Sequence, residues 1–170
     1  MLTKNFYAYI KAAFSGSDST AIFTKTDGTK GEVSISSSYP PFKVMNSWSK
    51  STIMSGVSFG TGTTPATVSD YFLESILTET QINVSTPSSV SFNKFDTYEE
   101  YTVTFGVTNK TADAITISEM GLTAIPYSPY SGTPYYVLVD HTVLDTPVTI
   151  PAGQSKQITY TIRFNYGNAT

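Results

Sequence analysis

The stretch Lys156–Phe164, KQITYTIRF, decides the fold. Ile158, Tyr160, Ile162 and Phe164 alternate with Gln157, Thr159, Thr161 and Arg163, the period of two that gives a strand one buried and one wet face. Pro151-Ala152-Gly153-Gln154 comes just before it. Proline fixes φ and glycine permits a positive φ, so these residues turn the chain into the strand. Upstream, the same grammar marks strands at Val148–Ile150, Tyr135–Leu144, Ala114–Ile125, Tyr98–Asn109, Val90–Phe95 and Gln81–Val84. Turns separate them at Pro87, at Asn109-Lys110-Thr111 and in the loop Pro126–Pro134. Strands in succession without alternating helices point to antiparallel sheets.

The N-terminal part reads differently. Phe6, Tyr9, Ile10 and Phe14 recur at three- and four-residue steps, predicting a helix over residues 3–14 that Ser15-Gly16-Ser17 stops. Ala21–Thr26 and Gly31–Ile35 read as a hairpin around Asp27-Gly28, a strong turn signal. Residues 36–52 carry no period, and Ile53–Phe59 reads as a further strand. Ser69-Asp70 is placed to cap a short helical turn reaching Leu77. The expected fold is mainly β: an antiparallel, jelly-roll-like β-sandwich with a short N-terminal helix. Residues 1–52 form a helix-and-hairpin region able to dock, residues 53–170 form the sandwich, and together they make one compact unit.

Composition narrows the partners. Charged residues are 14% of the 170, against ~25% in ordinary soluble domains. Serine (22) and threonine (27) fill the gap, which suits strands and also surfaces that pack against other proteins. A net charge of −3 and no lysine or arginine run argue against nucleic acid. No apolar stretch nears the ~20 residues that cross a membrane, and Asn5 and Lys11 interrupt the N-terminus as a signal peptide. There is no cysteine.

Chemistry is sparse. Gly56-Val57-Ser58-Phe59-Gly60 matches the G-x-S-x-G nucleophile elbow, but the following TGTTP cannot open the helix that motif needs. His141 is the only histidine, and its expected state is a partly exposed strand residue beside a turn, with Asp140 on the opposite face. One histidine and no cysteine leave no transition-metal set. Glu99 and Glu100 point to opposite faces of a strand and cannot work as an acid/base pair. Gly60-Thr61-Gly62 lacks the Lys-Ser/Thr of a phosphate loop. The reading is a chain without enzymatic activity, cofactor or metal.

Several motifs occur in a particular order. Val57–Pro65 (VSFGTGTTP) precedes Ser69–Glu74 (SDYFLE). Then come Asn109, Ile115–Leu122 (ITISEMGL), Val137–Leu144 (VLVDHTVL), Thr146–Gly153 (TPVTIPAG) and the closing ITYTI strand. This order resembles a recurring pattern in small structural proteins of tailed bacteriophages, over roughly residues 55–165. The resemblance implies a virion component: a head fibre or capsid decoration protein, or a tail, collar or baseplate protein. Its partners would be other virion proteins and copies of itself, with a trimer expected of a fibre. A carbohydrate- or surface-binding β-sandwich module is the alternative. The interface residues expected are Phe6, Tyr9, Ile10 and Phe14 on the helix, and Tyr127, Tyr130, Tyr135 and Tyr136 in the Pro/Tyr-rich loop, since tyrosine is enriched at interfaces.

Overall fold

The computed structural model describes residues 1–14, 19–35, 56–85, 88–124 and 136–165. It is mainly β, with antiparallel sheets and one short helix. Internal contacts divide the chain into two units, Met1–Thr78 with Thr116–Val148 and Glu79–Ile115 with Thr149–Thr170. This division differs from the boundary at residue 52 and the single unit expected from the sequence.

In the first unit, α1 (Lys4–Phe14) is followed by β1 (Ser19–Thr24) and β2 (Lys30–Ile35), which pair antiparallel. The Asp27-Gly28 turn forms as its sequence predicts. Gly28 takes φ 82°, and Asp27 Oδ1 accepts both the amide (2.8 Å) and the hydroxyl (2.7 Å) of Thr29. Phe6 and Ile10 are half-buried on α1, while the side chains of Tyr9 and Phe14 lie outside the description. Asn5, 4% exposed, exchanges two bonds with the backbone of Thr24 and donates to Leu138 O at 3.0 Å. One amide side chain thereby joins helix, hairpin and sheet.

That sheet runs β3 (Gly56–Gly60), β7 (Ile115–Ala124), β8 (Val137–Ile150). Residues 1–3 lie along the far edge of β8, through Thr3 N to Val139 O (3.0 Å) and His141 N to Met1 O (2.9 Å). The central strand β7 is buried on both faces except at Thr116. Phe59, Ile117, Met120, Leu122 and Leu138 build its core. The short helix expected after Ser69-Asp70 is absent. Asp70 turns back to accept the Thr67 amide (2.8 Å) and hydroxyl (2.6 Å), so it closes a turn instead of opening a helix.

The second unit is one sheet built on β6 (Tyr98–Asn109). Strands β4 (Ile82–Val84) and β5 (Ser89–Lys94) lie end to end along one edge of β6, and β9 (Ser155–Asn165) runs along the other. Val103, Phe105, Val107, Ile158 and Tyr160 are buried on one face. The opposite face is a ladder of hydroxyls: Thr104 with Thr159 (3.0 Å), Thr102 with Thr161 (3.4 Å), Thr108 with Ser155 (2.7 Å). The period of two in KQITYTIRF is thus real, but burial fades along the strand. Ile162 and Phe164 are half-buried and Tyr101 is 42% exposed. At that end Phe92 packs on Tyr101 (4.7 Å between rings) and Tyr101 on Phe164 (6.2 Å). Val90 and Phe92 are 60% and 52% exposed.

Candidate functional site

The site is built around Glu119. On β7, alternation puts Glu119 and Gly121 on one face, and pairing with β3 sets Gly60 opposite Glu119. Residues 61–75 fold over this face, and the Glu119 carboxylate, 0% exposed, holds them there. Its Oε1 accepts the amides of Gly62 (3.0 Å) and Ser75 (2.7 Å), and its Oε2 accepts that of Glu74 (3.0 Å). A buried carboxylate is tolerated only when so satisfied. The glycines follow from the crowding: a Cβ on Gly60 would stand 2.3 Å from Glu119 Oε1, one on Gly62 2.7 Å from it, and one on Gly121 2.8 Å from Leu73 and Leu138.

His141 enters from β8 and is 3% exposed, which corrects the partly exposed histidine expected from the sequence. Its Nε2 lies 3.0 Å from Glu119 Oε2 and its Nδ1 2.6 Å from Asp70 Oδ2. Both carboxylates already accept N–H or O–H groups elsewhere. The ring is thus held from both sides, with one nitrogen beside each carboxylate. Burial raises the Asp70 carboxyl, but bonds from the Thr67 hydroxyl and amide and from His141 outweigh it and leave the group below its usual value. Glu74 is likewise lowered by the Thr64 amide and hydroxyl and by the Thr63 amide, which it accepts at 2.8–2.9 Å.

Both nitrogens of His141 lie within hydrogen-bond distance of a carboxylate. The groups holding the ring are Asp70 and Glu119 rather than Ser58, which sits mid-strand on β3 opposite Gly121. Among the described residues no group of three or more His, Cys, Asp and Glu side chains is arranged to hold a metal ion. Beside the cluster lies an open cleft of about 570 Å³, lined by Thr64, Thr67, Asp70, Tyr71, Phe72 and Asp27 among others.

Of the interface residues expected from sequence, Tyr127, Tyr130 and Tyr135 lie outside the described residues. Tyr136 is half-buried, and its carbonyl accepts Thr26 N at 3.0 Å. Sequence reasoning missed Glu119 and the true setting of His141. The signal was present in the spacing: a lone glutamate inside the apolar run ITISEMGL has to find buried partners. Asn109 is comparable in the second unit. Fully buried, it donates to Asp113 O (2.7 Å) and Ile150 O (2.9 Å) and accepts from the Thr111 amide and hydroxyl. Compared with protein-family models, curated proteins and solved structures, the chain matches none.

Proposed function

We propose that the chain is a non-enzymatic structural subunit of a tailed-phage virion, a head-fibre or decoration protein or a tail, collar or baseplate part, acting through protein–protein contacts. One observation carries the reading. Part of the phage-like pattern (Gly60, Gly62, Asp70, Leu73, Glu74, Glu119, Gly121) gathers around the buried Glu119 carboxylate, where Glu119, Glu74 and Asp70 accept backbone amides. Carboxylates spent on backbone amides support a scaffold role for these residues. The exposed aromatic end of the β5–β6–β9 sheet supports contact with other proteins, since such side chains are enriched in interface cores. Protein mass spectrometry of gradient-purified particles from the source of the sequence tests this. The chain is expected at fixed stoichiometry with the other virion proteins, and its confinement to the soluble lysate would refute the reading.

The cleft carrying Tyr71 and Phe72, 43% and 38% exposed, favours a glycan-binding module as the second reading. Saturable binding in a glycan array that is lost in Tyr71→Ala would support it.

A further inference from the structure

Among the described residues no strand pairs with the outer edge of β9, and its sequence suits one occupant. Asn109 N donates to Gln154 O at 2.9 Å, which continues the register in which Thr108 faces Ser155. Hydrogen-bonded pairs recur every second residue, so the even-numbered residues of β9 aim their backbone groups at β6. On the other edge of β6, the carbonyls of Thr104 and Gly106 accept from Ser88 and Ser85, which agrees with this parity. Gln157, Thr159, Thr161 and Arg163 therefore direct N–H and C=O away from β6. All four are exposed, and among the described residues β9 pairs with β6 alone.

Proteins usually blunt such an edge with proline, a bulge, an inward charge or a short strand. Here the register runs unbroken from Tyr98↔Asn165 to Thr108↔Ser155, and no charge or proline falls between Gln157 and Ile162. The centre of the strand, Ile158-Thr159-Tyr160-Thr161-Ile162, reads identically in both directions.

We infer that β9 is a self-pairing edge, at which a second copy of this chain adds antiparallel about a two-fold axis through Tyr160. Thr159 then faces the partner's Thr161, Ile158 the partner's Ile162, Gln157 the partner's Arg163, and Lys156 the partner's Phe164. The sum of paired numbers is even, so outward-facing backbone groups meet outward-facing ones, and each face of the sheet continues across the seam. No like charges oppose each other. The hydroxyl ladder Thr104–Thr159 is prolonged by the partner's Thr161 and Thr102. Such an isologous contact closes at two subunits. The inference stands on the strand alone and does not depend on the virion reading.

The test is sedimentation equilibrium of the purified full chain. Wild type is expected at twice 18.5 kDa at micromolar concentrations. Thr161→Pro removes an outward N–H without touching a backbone bond to β6, losing there only the 3.4 Å hydroxyl contact with Thr102, and should weaken the dimer at least tenfold with unchanged circular dichroism. The double variant Thr159→Lys/Thr161→Lys, which sets like charges opposite across the seam, should do the same and covers the case in which proline disturbs folding. Because the chain has no cysteine, mixing Thr159→Cys with Thr161→Cys protein under oxidation should yield a disulfide dimer faster than either alone. A wild-type monomer, a trimer, or a dimer indifferent to both edge variants would overturn the inference.

Discussion

Replacing Glu119 with alanine removes, in one step, the acceptor of three backbone amides and the partner of His141 Nε2. His141 keeps Asp70 beside Nδ1 but loses its buried partner at Nε2, which costs about 1–3 kcal/mol. The Gly62 amide adds about 1–3 kcal/mol as a buried donor without an acceptor, whereas the partly buried Glu74 and Ser75 amides can recruit water and add less. The loss is therefore about 2–6 kcal/mol, a large part of the 5–15 kcal/mol that holds a typical domain. At about 2–4 °C per kcal/mol for a chain of this size, Tm should fall by about 4–24 °C. Glu119→Gln keeps one oxygen for the amides but turns an N–H₂ toward other donors, so its loss should be smaller. Thermal melts followed by circular dichroism at pH 7 give the magnitude. Hydrogen exchange gives the place: the amides of Gly62, Glu74 and Ser75 should lose protection first. An alanine variant melting within about 2 °C of wild type would refute the reasoning, since a carboxylate holding the loop cannot be lost at so small a cost.

Asp70 predicts the acid limb. Its folded value lies below the usual one, so its ionised form stabilises the fold fully above about pH 4, and the contribution is lost as pH falls further. Asp70→Asn should flatten the dependence of Tm on pH in that range; an unaltered slope would contradict this. Gly60→Ala should destabilise by collision, because its Cβ would meet Glu119 Oε1 at 2.3 Å and the Ser75 carbonyl at 2.7 Å. Gly153→Ala has open space around it but needs φ 67°, and should cost only about 1–2 kcal/mol in urea titrations. Phe105→Ala, at 1% exposure, should cost about 3–5 kcal/mol, whereas Phe92→Ala, at 52%, should cost under about 1. Equal losses would show that the aromatic end of the sheet is buried.

Much of the fold was legible because the period of two is a local property. Ile115–Ala124 and Tyr98–Asn109 fall within a residue of the strands read from the pattern, and Asp27-Gly28 makes its turn through contacts inside five residues. What the pattern left open is long-range. Whether Ile162 is covered depends on what lies over that end of the sheet, which alternation does not encode. The helix expected after Asp70 failed because the Glu74 and Ser75 amides are taken by a carboxylate 44–45 residues away, a stronger arrangement than one short helical turn. The clamp was legible only as an anomaly, an acid in an apolar run. Its partners Gly62, Asp70 and His141 meet it through strand pairing and loop closure. The order of the motifs was visible in the sequence, but the meeting of Gly60, Gly62 and Glu74 with Glu119 came from tertiary structure.

The central claim is that the ring of the chain's single histidine is held between the Asp70 and Glu119 carboxylates. The long-range ¹H–¹⁵N NMR spectrum of the His141 ring at neutral pH tests it most directly. Ring ¹⁵N signals that both move when Glu119→Gln and Asp70→Asn are introduced together are the predicted result. Ring signals indifferent to the two substitutions would contradict it, because the carboxylates would then not hold the ring.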